Sequence, residues 1–504
     1  MSSKPAWVVV TPREAFFTLG RFATEESRRS GLSAHLTRPI VPDGLAERLS
    51  GFARREPDLP GLAFLADAVA YGIDVLGFDP DSWVYELTRG ALGDAWARPA
   101  RILGYCEQVV RAFFTQRLCG GRAPPGRFDV FATDDGRGVL GCVVETLLAN
   151  RLLVRGDRVA VGSSVLMPYV EIPNPGALGL DVVHLYADPA DDWQFPRAEI
   201  DKLTDPAVKA LFLVNPPGPE LLALRDRTVE QLEAIVRGPR PDLLVVSDEA
   251  FGTFIPGFRS LAAVLPASVL AVYSFDRHLG SAGWRLGVAV LHQDNAYDCM
   301  LAELPDRVRE ETGRRYLGSD GNGQRLRFID RMVVESSSVT LRFAAGLSPP
   351  QQTQASLFAL FFLTGAADGC VEATTALLTG RRAEFYRGLG RPVPVRPASA
   401  VPYFALFDVL EDARDRYGDD FAGWLRRTRD PQDLVRALGV GAASVLPDGG
   451  VNPDGWTVRL SLADASAEDC AAIGAGLAAA VDDAHLGYLR GRRRRGRRGI
   501  IARG

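Results

Sequence analysis

The sequence predicts an α/β protein: a large lobe on a mostly parallel central sheet, a smaller α/β lobe after it, and a helical N-terminal segment. Three observations lead there. Strand-length runs rich in Val and Leu recur at 158–161, 182–186, 210–214, 243–247, 269–274 and 285–291, and most are apolar throughout, as strands covered on both faces must be. Helical segments at 138–150 and 228–237 fall between several of them, the alternation expected of parallel strands joined by crossover helices. Finally, 504 residues with 47% apolar composition exceed what one core usually organises, so two or more lobes are expected.

Taken in order, residues 1–127 read as a helical segment contributing part of the small lobe. Thr11, Pro12 and Glu14 supply an N-cap, a proline at the first helical position and an acidic first turn for a helix over 14–29. Breaks at 57–60 and 124–126 separate the later helices. Residues 128–345 form the large domain, with a charged helical insertion near 300–345. Ser348-Pro349-Pro350 then interrupts the chain before a long connecting helix within 346–374. A small domain over 375–489 closes on an amphipathic helix at 466–481, and 490–504 reads as a basic disordered tail. No internal repeat is evident.

Composition narrows the function. The longest apolar stretches, such as 357–363, fall well short of the roughly 20 residues that span a bilayer, and the apolar run at 6–10 is too short for a signal-peptide core. A cytoplasmic protein without membrane contact is expected. Six cysteines lie scattered with no paired spacing, so neither a metal site nor a disulfide scaffold is expected, only small buried hydrophobes. The formal charge is −4, but 490–504 holds eight arginines and no acid, which leaves −12 for the rest. A body that acidic argues against nucleic acid as the main partner, and the arginine run reads as solvated. Lysine occurs only at 4, 202 and 209.

In open α/β sheets ligands bind beyond the carboxyl ends of the strands, and those positions carry recognisable residues. Asn215-Pro216-Pro217 follows one strand, Ser247-Asp248-Glu249-Ala250-Phe251 ends the next, Ser274-Phe275-Asp276-Arg277 ends a third, and Gly283-Trp284-Arg285-Leu286-Gly287 follows. With TPREAFFTLG at 11–20, NRLL at 150–153, PYVEIP at 168–173, GTFIPGFRSL at 252–261, FIDRMV at 328–333 and AGLSPPQQ at 345–352, the chain resembles the bifunctional aspartate aminotransferases/aspartate 4-decarboxylases. That branch has the fold-type-I aminotransferase fold of pyridoxal-phosphate enzymes, and the resemblance runs from about residue 5 to 489.

The resemblance implies a role for each matching position. Asp248 corresponds to the aspartate that pairs with the cofactor's pyridinium nitrogen, Ser274 and Arg285 to phosphate ligands, and Arg459 to the arginine that grips an α-carboxylate as a bidentate pair. The glycine-rich phosphate turn keeps Gly136 but reads Asp135-Gly136-Arg137-Gly138, with Arg137 expected near the phosphate. Where the family pattern is Ser-Phe-Ser-Lys this chain has Ser274-Phe275-Asp276-Arg277, so Arg277 stands at the imine-forming lysine. Arginine stays protonated and cannot form that imine. Gly218 replaces a cofactor-contacting asparagine, Phe251 a tyrosine and Ser337 a substrate arginine. His278, beside Arg277, is a candidate base, against the plainer reading of a packing or surface histidine.

Three functions remain open on these residues. One is a catalytically silent homologue, a structural or regulatory subunit. Another is a repurposed enzyme of specialised metabolism acting on an anionic, amino-acid-like or phosphorylated substrate. The last is a lysine-less enzyme holding pyridoxal phosphate non-covalently; otherwise no cofactor is expected. Arg277, Arg285 and Arg459 are expected to line one positive cavity over Asp248 that takes a small anionic ligand. The resemblance also implies an oligomer, with itself or with a lysine-bearing paralogue.

Overall fold

Six of the seven strands of the central sheet point the same way, which sets one edge apart as the place where loops and helix N-termini converge. The structure, a computed structural model, describes residues 43–55, 60–93, 101–134, 136–163, 178–217, 221–275, 277, 282–317, 323–338, 346–397, 400–431, 445–447 and 456–501. The helix expected at 14–29 lies outside them. The strands are β1 (Phe128–Thr133), β2 (Arg158–Ser163), β3 (Asp181–Tyr186), β4 (Val208–Val214), β5 (Leu244–Asp248), β6 (Val269–Ser274) and β7 (Gly287–His292), in the order β1-β7-β6-β5-β4-β2-β3. Strands β3, β2, β4, β5 and β6 pair in parallel, and β7 is antiparallel to both β6 and β1.

The continuous apolar runs have the expected cause. Val245, Ala271 and Val288 bury into one core, while their neighbours Val246, Val272 and Ala289 bury into a second core on the opposite face. Helices Gly136–Ala149 and Phe328–Ser338 cover the second face, and Asp226–Arg237 helps to cover the first. Strand β1 is missing from the sequence reading because Asp129 interrupts its apolar run. That carboxylate is buried, paired with Arg327 and 3.4 Å from Arg127. Strand β7 starts at Gly287 rather than at 285 because Arg285 takes a φ of 52°, outside extended geometry.

Several boundaries are corrected. The described N-terminal helices Pro60–Asp74, Pro80–Leu92 and Gly104–Phe113 pack on Pro349–Leu363, and the last also on β1, which places them with the large lobe rather than the small one. The long connecting helix within 346–374 is two helices, Pro349–Leu363 and Asp368–Leu389, meeting at 94°. Gly365, at φ 78°, makes the turn between them, a conformation that suits a residue without Cβ. Within the basic segment expected to be disordered, residues 490–501 continue the helix Ala467–Ile501, and 502–504 lie outside the described residues. Arginine is a good helix former, and cations are favoured at a helix C-terminus.

The small lobe carries a three-stranded antiparallel sheet in the order β8 (Phe404–Asp408), β10 (Thr457–Ser461), β9 (Val445–Pro447). Its helices Asp368–Leu389 and Ala467–Ile501 cross at glycines. A Cβ on Gly388 would stand 2.1 Å from the Ala471 carbonyl oxygen, and one on Gly474 would stand 2.2 Å from that of Phe385. Cys106, Cys119, Cys142 and Cys470 are buried, whereas Cys299 is exposed and Cys370 half-buried. Among the described residues no single helix is long and apolar enough to cross a membrane, and no three His, Cys, Asp or Glu side chains are grouped to hold a metal.

Candidate functional site

The carboxyl ends of β4, β5 and β6 and the start of helix Gly136–Ala149 meet at one edge of the sheet. Asp248, the last residue of β5, is buried there. Its Oδ1 accepts a hydrogen bond from the Ala250 amide at 2.9 Å, and its carbonyl accepts one from the Asn215 amide at 2.8 Å. Its Oδ2 lies 3.7 Å from where a Cβ on Gly136 would stand. The carboxylate therefore faces the first turn of that helix, where the backbone dipoles favour negative charge.

Ser274 ends β6, buried and opposite Gly287 in the ladder. Phe275 follows, with its amide donating to the Leu286 carbonyl at 2.9 Å, and Arg277 stands half-buried beyond it. On the neighbouring pair, Thr133 of β1 faces Gly287 of β7, so Asp134 and Arg285 both lie just past the end of that ladder. They form an ion pair, Nη2 to Oδ2, at 2.9 Å. Sequence reasoning passed over Asp134, although the two acids before Gly136 were the available signal.

Arg459 lies in the middle of β10 in the small lobe and is buried. Its guanidinium carbon is 5.0 Å from the centroid of Phe404, within cation–π reach. Phe404 lies 5.9 Å and Tyr403 4.9 Å from Phe251, three residues beyond Asp248. This aromatic group joins the small lobe to the end of β5. Of the residues predicted for the site, Gly136, Asp248, Ser274, Arg277 and Arg285 share the sheet edge, and Arg459 reaches it through Phe404 and Phe251. His278 and the side chain of Arg137 lie outside the described residues. The expected excess of guanidinium over carboxylate is smaller than the sequence suggested, because Asp134 joins Asp248 at this edge.

Glu249, next to Asp248, points the other way, as alternation along an extended chain requires. It is fully buried, accepting from the Ser247 hydroxyl at 3.0 Å and the Leu261 amide at 2.9 Å. Burial pushes its carboxyl up to about 7, the bonds from Ser260, Leu261 and Ser247 pull it back, and nearby Asp248 raises it further. It is a buried fastening beneath the site.

Both described lysines lie elsewhere. Lys209 is the second residue of β4, five residues from Val214 and so about 16 Å from that strand's carboxyl end. The Lys202 ammonium donates to the His184 carbonyl at 3.1 Å and to Glu199 at 2.6 Å. His184 belongs to β3, three strand positions and about 14 Å from β5. A groove of 530 Å³ lined by Asp191, Phe195, Arg197, Arg227 and Glu230 contains none of the site residues.

A mostly parallel α/β sheet with a buried acid, a serine and an arginine at its carboxyl edge, joined by aromatic packing to a second lobe that carries a buried arginine, is the arrangement of the aminotransferase class of protein. The chain belongs to the aminotransferases of class I and II, the family that matches residues 153–408. It is 37% identical over 489 residues to the bifunctional aspartate aminotransferase and L-aspartate beta-decarboxylase of Pseudomonas sp, covering 96% of this chain and 92% of that protein. A tetra mutant of Thermus thermophilus aspartate aminotransferase superposes with a TM-score of 0.53 at 20% identity, covering 78% of this chain and 92% of that one. For alanine aminotransferase from Pyrococcus furiosus the TM-score is 0.55 at 16% identity, with 79% and 88% covered. These two likenesses establish the fold. The family is dependent on pyridoxal phosphate.

Proposed function

We propose that this chain has given up the imine chemistry of its family and serves as a structural or regulatory subunit, silent as a transaminase and decarboxylase, that keeps a site for a small anion. The observation that carries this reading is Arg277, three residues past β6 at the position the resemblance gives to the imine lysine, with Lys202 and Lys209 held elsewhere on the sheet. A guanidinium does not lose its proton near neutrality and supplies no amine for a covalent bond to an aldehyde. The described residues therefore do not fit pyridoxal phosphate as a covalently held group. The cofactor is absent or held without a bond to the chain. Phe251 supports the same reading, since it has no hydroxyl to offer a ligand and is packed against Tyr403 and Phe404.

The anion expected is a small dicarboxylate of the aspartate or oxaloacetate type, met by Arg459. A ligand at a hundredfold excess over its dissociation constant stabilises the folded state by about 2.7 kcal/mol, a shift of about 2–3 °C in melting temperature for a chain of this length. A thermal-shift screen of aspartate, oxaloacetate and related acids is expected to find a stabiliser whose effect disappears in Arg459→Ala. No shift with any of them, or a shift that survives Arg459→Ala, would count against the retained site.

Assembly is the other half of the proposal. The protein acts in the cytoplasm as an oligomer with itself or with a lysine-bearing paralogue, through an interface on the order of 2,000 Å² or more. Sedimentation velocity at micromolar concentration should give a dimer or larger species. A well-folded, stable monomer would rule out self-association and leave only the paralogue.

A further inference from the structure

We propose that Asp134 is a built-in counter-ion that closes the Arg285 end of this site to phosphate, so that the site selects carboxylate ligands over phosphorylated ones. The inference rests on the small-anion reading above and names the anion more narrowly. Its starting point is register. Because Thr133 pairs with Gly287, the next residues along β1 and the last ones before β7 come off the ladder side by side. Arg285, at φ 52°, turns there, and its guanidinium meets the Asp134 carboxylate at 2.9 Å. The carboxylate is the more sheltered partner, with its side chain 14% exposed against 53% for the arginine.

Asp134 is also two residues ahead of Gly136, where helix Gly136–Ala149 begins, and Asp248 faces the same first turn. Two carboxylates of the chain itself thus stand where a helix start and an arginine would otherwise hold an incoming anion. A phosphate drawn to Arg285 must come within a few ångströms of Asp134. Coulomb repulsion scales with the product of the charges, so a phosphate dianion is opposed about twice as strongly as one carboxylate group of a dicarboxylate at the same distance. Arg459 stands on the small-lobe side, joined to this edge through Phe404 and Phe251, and offers a carboxylate a guanidinium that is not part of the Asp134–Arg285 pair.

The test compares equilibrium binding of inorganic phosphate, pyridoxal phosphate and pyridoxal to the full chain, by calorimetry. Wild type should bind pyridoxal phosphate no more than about threefold tighter than pyridoxal. Asp134→Asn, nearly isosteric, should bind phosphate and pyridoxal phosphate at least about tenfold tighter than wild type, with pyridoxal unchanged. That gain should vanish in Asp134→Asn/Arg285→Ala. The proposal is overturned if wild type already prefers pyridoxal phosphate tenfold, or if both Asp134→Asn and Asp134→Ala bind phosphate as wild type does. The wild-type arm decides by itself if neither variant folds. Failure here leaves the dicarboxylate shift through Arg459 standing, and failure of that shift leaves the phosphate comparison readable, so the two ideas fall separately.

Discussion

Native protein treated with excess pyridoxal phosphate and then borohydride should emerge at its unmodified mass, with no stoichiometric adduct on any one lysine. Borohydride turns an imine into a stable secondary amine, so a family member with its lysine in place is tagged at one position. Here the candidates are few. Lys202 is engaged with Glu199 and the His184 carbonyl, Lys209 lies toward the start of β4, and Lys4 is outside the described residues. Sparse labelling spread over exposed amines is the most that chemistry without a site can give. One fully modified lysine, mapped by peptide mass, would sink the silent-subunit reading at a stroke.

A second large effect concerns stability against pH. The Glu249 carboxyl sits at about 7 in the folded protein because burial disfavours its charge, against an ordinary value near 4.3 when unfolded. Between these values the folded state binds more protons than the unfolded one. The contribution is therefore fully present below the unfolded pKa and is lost as pH rises through the folded one. One pKa unit corresponds to about 1.4 kcal/mol, so wild type should lose about 2–3 kcal/mol relative to Glu249→Gln between pH 5 and pH 8. Urea denaturation of both proteins at the two pH values measures this. An identical difference at each pH would show that the carboxyl titrates normally.

The sheet was legible because β4, β5 and β6 are covered on both faces and so have apolar sequence almost throughout. β1 escaped because one buried charge, Asp129, breaks the pattern, and its partner Arg327 lies 198 residues away. The bend after Leu363 escaped because the apolar run of Pro349–Leu363 passes into Thr364-Gly365 with no proline to mark a break. At the site, local sequence and resemblance located Asp248, Ser274 and Arg285, whose positions follow from strand ends. They could not reveal that Asp134 answers Arg285, or that Phe251 is taken up by Tyr403 and Phe404. Those pairings come from register between β1 and β7 and from lobe packing, which one strand's sequence does not contain.

The crossing at Gly388 and Gly474 has a mechanical consequence. Two helices in backbone contact leave no room for a side chain at either glycine, so this pair of the small lobe is held in one register. Among the described residues the small lobe joins the large one through 364–367, the turn between Pro349–Leu363 and Asp368–Leu389, like a door on its hinge. The latch that aromatic residues provide is the contact of Tyr403 with Phe251 and Phe254 and of Phe404 with Phe251. A ligand gripped by Arg459 would draw on the door through Phe404, the ring that the latch itself uses.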